Sequence, residues 1–301
     1  ALPALLCAFV ALSLFACISY PLPERPRPHS ESLRVMSYNV RYLDGDSIDP
    51  AKFDGEVRSH AEALSEVILE LDADIVSLQE LVTVVGGDVH DHRPFEGAMM
   101  QRLNEYGWIR AVGPGQMLSS NPILFRRDRF IPVRQGMEWF SDTPHVPDSR
   151  SWGNDLPRWA TWALFYDGHA DAHILVVNTH LDHLSGEMNA RAIERLAEII
   201  HRQRYLGAGF GIASVVLTGD FNEGRESALR ARLVEDSGLL EAFDASHGAS
   251  TSIPFAGQID GIYVSPDLLI HQSAVDRRWR ASDHYPLYVD LVSRKRQRQG
   301  P

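Results

Sequence analysis

The chain has 301 residues, of which 44% are hydrophobic, and a formal net charge of −11. Tight nucleic-acid binding needs clustered Lys and Arg that neutralise phosphates, so this acidic balance excludes long DNA as the default partner, but not a bound divalent cation. Both cysteines, Cys7 and Cys17, lie in an N-terminal apolar stretch. The remaining sequence therefore has no disulfide, thiolate zinc site or cysteine nucleophile.

The first residues predict export. Residues 1–19 are uncharged and apolar, as in a signal peptide, and residues 14–17 resemble a bacterial lipobox that would make Cys17 the lipidated residue. The alternative is an uncleaved membrane anchor, since about 18–20 apolar residues can span a bilayer. In each case the folded body is periplasmic, membrane-anchored or secreted. We expect a proline-rich linker at 20–32, one domain at 33–293 and a basic disordered tail at 294–301.

Apolar runs and amphipathic segments alternate from residue 33 onward. Ala61, Leu64, Ile68 and Leu71 recur at helical spacing, which predicts one helix, and a second is predicted at 188–204. Strands are predicted at 33–40, 75–80, 121–125, 158–166, 174–178, 215–217, 259–264 and 287–291. Loops are expected at 86–94 and 139–152. This alternation indicates a single α/β domain.

Several predicted strands end in polar side chains. The strand at 215–217 leads to Asp220 and Asn222, and the strand at 174–178 leads to His180. Such side chains lie at the rim of a sheet, where α/β proteins bind substrates. Asp220 and Asn222 share a face in extended geometry, so they could orient and deprotonate a water and donate a hydrogen bond to a developing anion. A plain Asp/Asn turn is the alternative.

Four residues are ambiguous when each is considered alone. Asn39 could be a turn former and Glu80 an ordinary exposed carboxylate. His180 could contact a phosphoryl oxygen or a metal as a neutral imidazole, or be a turn histidine. Asp260 lies within an apolar strand and needs a partner, which an imidazolium on a neighbouring strand would provide.

In chain order, these polar segments resemble the motif set of the endonuclease/exonuclease/phosphatase superfamily. The motifs are at 37–39, 78–80, 178–180, 219–222, 259–260 and 282–284, and segments 141–144, 149–153 and 157–162 are similar to bacterial exported or lipoprotein metal-dependent phosphoesterases. The resemblance implies an α/β fold, a four-layer sandwich of two mixed β-sheets packed face to face with helices on the outer faces. It also implies Mg²⁺ or Mn²⁺ as cofactor.

The resemblance implies a metal-binding role for three residues. Glu80 would be the main metal carboxylate, with Asn39 and Asp283 near the ion. Carboxylate oxygens suit such hard cations, and phosphoryl oxygens would complete the coordination shell.

Five further residues would act on the substrate. Asp220 would position and activate water, Asn222 would steady that water, and His180 would contact the scissile phosphate. His284 would be the base-like imidazole, oriented by Asp260. The proton acceptor is left open between Asp220 and His284. The implied activity is metal-dependent hydrolysis of a phosphoester bond by in-line attack of water.

Some features favour other interpretations. Gly261 stands where an aromatic residue is usual, which is expected to loosen that wall of the site. Residues 178–183 nearly match the zinc motif of metallo-β-lactamase-like hydrolases, but Asn178 replaces a ligand histidine. A non-specific nuclease on the same site and a catalytically inactive binding protein are the remaining alternatives.

The partner is predicted only by class. Negative charge and export favour a small phosphoester or lipid head-group over duplex DNA, and basic segments that grip DNA are missing from the sequence. We expect a monomer with a membrane tether at its N-terminus. The aromatic residues Trp139, Phe140 and Trp152 either contact the substrate or pack beneath the loop at 139–152.

Overall fold

A computed structural model describes most of the chain. The described residues are 32–41, 43–44, 53–81, 83–85, 88–90, 93–110, 121–206, 211–244, 246, 250–253 and 257–294. The export signal expected at 1–19 lies outside them, as do the linker at 20–32 and the tail at 294–301 apart from one boundary residue each. Among the described helices, none is long and apolar enough to cross a membrane.

Two six-stranded sheets form the centre of the molecule. The first sheet contains, in spatial order, β14 (Leu268–Val275), β15 (Leu287–Ser293), β1 (Leu33–Asn39), β3 (Ile75–Gln79), β7 (Ile123–Arg126) and β6 (Tyr106–Ile109). The second sheet contains β12 (Leu240–Glu241), β13 (Asp260–Val264), β11 (Ser214–Asp220), β10 (Ala172–His180), β9 (Trp159–Asp167) and β8 (Phe130–Trp139). A small third sheet contains β2 (Leu43–Asp44), β4 (Thr83–Val85) and β5 (Asp88–His90).

Both large sheets are mixed. In the first sheet β1 pairs parallel with β3 and antiparallel with β15. In the second sheet β10 pairs parallel with β11 and antiparallel with β9. The register aligns His180 with Asp220 across the β10–β11 pair and Asn39 with Gln79 across the β1–β3 pair. Each parallel pair therefore ends in polar residues at its carboxyl edge.

Side-chain alternation separates the two faces of each strand. On β1, Val35 joins the apolar layer between the two sheets, whereas Met36 faces outward. On β10, Val176 lies in the inner layer and Leu175 in the outer one. The near-continuous apolar strands of the sequence are thus buried on both faces.

Helices cover the two outer faces. They are α1 (Phe53–Leu71), α2 (Arg93–Arg102), α3 (Gly186–Gln203) and α4 (Ala228–Ser237). Leu64 of α1 packs in the outer layer of the first sheet, and Leu196 of α3 packs in that of the second. Ser185 caps α3 because its side chain accepts a hydrogen bond from the backbone N–H of Met188. The predicted four-layer sandwich is confirmed.

The sequence does not predict the four strands at the edges of the two large sheets, β6, β8, β12 and β14. In β8 half of the residues are exposed, and Pro132 removes a backbone donor, a combination that is typical of edge strands. The prediction of a loop at 86–94 is partly wrong, because this segment contains β5 and the start of α2. β5 has only three residues and pairs with β4, and the polar sequence of this segment does not indicate a strand.

A buried arginine joins the two sheets at the edge where β3 begins. Arg129 Nη1 lies 3.0 Å from Asp74 Oδ2 of the first-sheet side, and Nη2 lies 2.8 Å from Asp167 Oδ2 at the end of β9. All three side chains are less than a tenth exposed. Removing one member of a buried ion network leaves an uncompensated charge, which destabilises more than the intact network stabilises.

We predict that Arg129→Met lowers the free energy of unfolding by about 3–5 kcal/mol, because two buried carboxylates lose their cation. The matched control is Arg127→Met, since Arg127 is exposed two residues away and should change stability by less than about 0.5 kcal/mol. Urea denaturation of the three proteins measures the difference. Equal losses in both variants would contradict a structural role for the network.

Candidate active site

Polar side chains from both sheets meet at the carboxyl edge of the parallel strands. Asn39 ends β1, Glu80 follows β3, His180 ends β10 and Asp220 ends β11. Asp260 begins β13, which runs antiparallel to β11, so it also lies at this edge and pairs in register with Asp220. Residues that are far apart in sequence therefore form one cluster, because each stands where its strand reaches the rim.

Asn39 connects the two sheets within the cluster. Its Nδ2 donates to Glu80 Oε1 at 2.9 Å and to Asp220 Oδ2 at 3.0 Å, while its Oδ1 accepts from the backbone N–H of Arg41 at 2.9 Å. The amide nitrogen, rather than the oxygen, faces the two acids. In this arrangement Asn39 offsets the repulsion between the two carboxylates.

Two groups of potential ligand atoms occur among the described residues, and within each group the atoms lie within 4.8 Å of one another. One group is Glu80, His180 and Asp220, and the other is Asp220, Asp260 and His284. Carboxylate oxygens with one imidazole fit a divalent cation, and a cation would also relieve the repulsion between neighbouring acids. These residues could therefore hold a metal.

Asp283 does not join either group. Its Oδ2 lies 3.8 Å from Arg41 Nε, and its Oδ1 is 3.3 Å from the hydroxyl of Ser282. The side chain is 28% exposed, unlike the buried Asp220 and Asp260. The structure thus places it at the solvent side of the cluster, beside an arginine.

Three residues of the site adopt left-handed backbone conformations. The φ angles are 54° at Arg41, 60° at Glu80 and 51° at Asn222, and each residue follows the end of a strand within two positions. This region is costly for residues with a side chain and tends to occur at functional positions. Surrounding contacts must hold these turns, as the hydrogen bond from Arg41 N–H to Asn39 does.

Asp220 is a carboxylate that resists ionisation. Burial raises its pKa to about 7, and the negative charge of Asp260 acts in the same direction. The positive charge of His284 and the hydrogen bonds from Asn39 and the Asn222 backbone oppose this shift. A carboxylate that exchanges its proton near neutral pH is suited to general acid–base chemistry.

His284 is held as an imidazolium by Asp260. Its Nδ1 lies 2.9 Å from Asp260 Oδ2, and its Nε2 lies 3.8 Å from Asp220 Oδ2. Burial lowers the pKa of His284, but the charge and hydrogen bond of Asp260 outweigh it and raise the pKa to about 10. His284 is therefore the charged partner that was expected for Asp260, a carboxylate within an apolar strand.

His180 is a neutral imidazole. Burial lowers its pKa well below the usual value, and the positive charges of Arg158 and His284 lower it further. Asn222 Nδ2 lies 3.0 Å from His180 Nε2 and also donates to the Leu181 carbonyl, so the amide supplies the proton and Nε2 accepts it. Asn222 thereby fixes the orientation of the ring.

Arg230 closes the wall that Gly261 was expected to loosen. A Cβ at Gly261 would lie 2.4 Å from Arg230 Nη2, so the guanidinium occupies the place of a larger side chain. Arg230 is buried and donates to the Gln258 carbonyl, to Glu241 and to the hydroxyl of Tyr263. The strand that carries Asp260 is therefore supported by an arginine on α4.

Arg158 is a site residue that the sequence analysis missed. It immediately precedes β9, where the sequence predicts a strand but assigns no site residue. Burial lowers the pKa of Arg158, and the negative charges of Asp182, Asp220 and Glu80 oppose this shift. A charged residue at the start of an apolar strand is the signal that could have identified it. The antiparallel neighbour β10 ends at the same place, which the sequence alone does not reveal.

The zinc interpretation does not fit the geometry. Asn178 Nδ2 donates to the Leu78 carbonyl at 2.7 Å, and its Oδ1 accepts from Gln79 at 2.7 Å, so its side chain is used between the sheets. His183 is exposed and contacts Arg158. Neither residue belongs to a ligand group among the described residues.

The aromatic residues of the loop expected at 139–152 mostly pack. Trp139 and Phe140 are buried, and the Trp139 ring lies 4.8 Å from that of Trp159. Trp152 donates to Asp142 and lies beneath the guanidinium of Arg191. Trp139 and Phe140 therefore pack in the interior, which is the second of the two alternatives that the sequence left open.

We predict that His284 makes unfolding pH-dependent above neutrality. A histidine with a raised pKa stabilises the fold fully below its unfolded pKa of about 6.5 and loses this contribution as pH rises through 10. In chelator-treated protein the free energy of unfolding should fall by about 1 kcal/mol per pH unit between pH 7 and 9. His284→Gln should lose this slope in urea denaturation, while His201→Gln, at an exposed site on α3, should keep it. Parallel slopes in His284→Gln and wild type would contradict the ion pair.

We also predict that Gly261→Ala destabilises the protein by about 1–3 kcal/mol, as overpacking of a filled core does. The new methyl group would displace Arg230, which cannot move without losing its hydrogen bonds to Gln258 and Glu241. Gly224→Ala is the control, because a Cβ there meets nothing within 4 Å. Thermal unfolding that ranks the two variants equally would contradict this role of Arg230.

Known proteins share this fold and these motifs. Residues 36–284 match the Endonuclease/Exonuclease/phosphatase family. An endonuclease/exonuclease/phosphatase family protein of Bacteroides thetaiotaomicron is 26% identical and has a TM-score of 0.70, covering 87% of this chain and 98% of its own. The mannosyl-6-phosphatase Bt3783 of the same bacterium is 26% identical with a TM-score of 0.70, covering 87% of this chain and 100% of its own.

A viral relative matches over a shorter length. Uncharacterized protein L388 of Acanthamoeba polyphaga mimivirus is 26% identical over 205 residues, which cover 65% of this chain and 73% of the relative. Since the family match spans most of the chain and the structure has the corresponding sandwich, this protein belongs to the endonuclease/exonuclease/phosphatase family.

Proposed function

We propose that this protein is an Mg²⁺- or Mn²⁺-dependent hydrolase of phosphoester bonds. The observation that carries the proposal is the convergence of Glu80, His180 and Asp220 within 4.8 Å, next to the buried Asp260–His284 pair. Members of its family act on phosphate esters, and the similar mannosyl-6-phosphatase supports the same chemistry here. Oxygen-rich ligands favour Mg²⁺ or Mn²⁺ over softer metals.

Glu80 would be the main ligand of the cation at the rim of the two sheets, and Asp220 and His180 would lie beside it. When bound, a divalent cation neutralises charge on phosphoryl oxygens and lowers the pKa of water. Asn39 keeps the two carboxylates together by donating to both. Asn222 fixes the His180 ring through its hydrogen bond to Nε2, so the site is organised before substrate binds.

The reaction transfers the phosphoryl group to water. The water oxygen bonds to phosphorus as the ester P–O bond breaks, and the electron pair of that bond leaves with the ester oxygen, which takes up a proton. Asp220 would accept the water proton, since it is a buried carboxylate beside Glu80 and His180. His284, bonded to Asp260 through Nδ1, is protonated and supplies positive charge near the phosphoryl oxygens.

We further propose an exported monomer that acts on a small phosphoester or a lipid head-group. Export is supported by the apolar, uncharged residues 1–19 and the lipobox-like residues 14–17. The net charge of −11 disfavours duplex DNA, whose phosphates would be repelled. The similarity to a mannosyl-6-phosphatase supports a small phosphorylated substrate.

The test is metal-dependent hydrolysis by wild type and Asp220→Asn across a panel of phosphate monoesters and diesters. We expect Asp220→Asn to lower kcat by about 10³-fold, as loss of a general base does. Chelation should abolish wild-type turnover, and Mg²⁺ or Mn²⁺ should restore it. Asp236→Asn, on α4 and paired with Arg232, is the matched control and should retain full activity. Equal turnover by wild type and Asp220→Asn, or turnover that survives chelation, would exclude the mechanism.

A further inference from the structure

Arg158 lies beside the end of β10 that carries His180, and it immediately precedes β9, the neighbouring strand of the pair. The register places Ala160 opposite Thr179, so Arg158 lies next to the end of β10, where His180 stands. The backbone carbonyl of Arg158 accepts a hydrogen bond from Phe140 N–H at 2.8 Å, which anchors the start of β9. The charge of Arg158 lowers the pKa of His180, as expected for a cation near the site.

The guanidinium of Arg158 is buried with a single, long ion pair to a carboxylate. Its side chain is 10% exposed, and the nearest acid, Asp182 Oδ2, is 3.7 Å from Nε, too far for a hydrogen bond. Nε is buried and has no hydrogen-bond partner. The contact of Nη2 with His183 Nδ1, at 3.3 Å, involves an uncharged acceptor. This arrangement differs from Arg129, whose guanidinium is bound by two carboxylates.

Asp182 also stabilises its own turn. Its Oδ1 accepts hydrogen bonds from the backbone N–H groups of Leu184 and Ser185, at 2.8 and 3.2 Å. These bonds shape the start of α3, and Oδ2 is the oxygen that pairs with the guanidinium. A buried arginine with one long ion pair gains stability from a further anion.

We propose that Arg158 binds the non-bridging oxygens of the substrate phosphate and makes the site select phosphate monoesters over diesters. This inference rests on the proposed function. A planar guanidinium matches two oxygens of a phosphate, and its interaction grows with the charge of the anion. A monoester dianion carries one charge more than a diester, so Arg158 stabilises it more. The carboxylates would hold the cation, and Arg158 would supply a second positive charge to the phosphate.

Two esters with the same leaving group test the selectivity, 4-nitrophenyl phosphate and bis(4-nitrophenyl) phosphate, each with Mn²⁺. Arg158→Gln should lower kcat/KM for the monoester by about 10²-fold and for the diester by less than about 10-fold. Arg158→Lys keeps the charge but loses the planar fork, so its kcat/KM for the monoester should lie between those of wild type and Arg158→Gln. Arg150→Gln is the control, because Arg150 is exposed on the preceding loop and donates to the Asp155 carbonyl.

Inorganic phosphate provides a readout that does not depend on turnover. Calorimetric titration of Mn²⁺-loaded protein should show that Arg158→Gln weakens phosphate binding by about 10²-fold while Mn²⁺ affinity stays unchanged. If wild type hydrolyses neither ester, the proposed function fails, and the titration still decides whether Arg158 binds phosphate. Unchanged phosphate affinity in a folded Arg158→Gln, or equal losses for both esters, would overturn the inference.

Discussion

The site depends on hydrogen bonds that cross from one sheet to the other at the rim. Asn39 of the first sheet donates to Asp220 of the second, and Asn178 of the second donates to the Leu78 carbonyl of the first. Apolar contacts between sheets are non-directional and would allow small displacements, whereas buried amides that lose a partner are costly. These bonds therefore set the separation of Glu80 and Asp220, two carboxylates that could hold a cation.

The same rim concentrates negative charge that the protein only partly balances. Asp260 has His284, and Asn39 offers one amide to two acids, but Asp220 still has a raised pKa because it is buried near Asp260. Such a cluster is destabilising in isolation and is stabilised by a bound cation. Because the buried acids are already held together, a cation would bind to an organised site rather than assemble it.

Polar strand ends could be recognised from the sequence because each follows an apolar run, as Asp220 follows 215–217. Edge strands could not, since half of the β8 residues are exposed and β8 carries Pro132. Arg158 was missed for another reason: it precedes its strand, and only the antiparallel pairing of β9 with β10 brings it to the end of β10. Similarly, the sequence predicts a loosened wall at Gly261, because it does not show that α4 brings Arg230 against this glycine. Local patterns thus identify the strands and their ends, but not which side chains they meet.

Buried arginines have two different environments in this fold, and the contrast identifies their roles. Arg129 and Arg230 are enclosed by acceptors of the chain itself, which suits groups that fix the sheets and the Asp260 strand. Arg158 is buried as well, yet its nearest carboxylate is committed to the turn before α3. Folding alone does not explain why a charge would be buried with so little compensation. The proposed phosphate would add a further anion beside Arg158 and would offset part of the cost that its ion pair with Asp182 leaves.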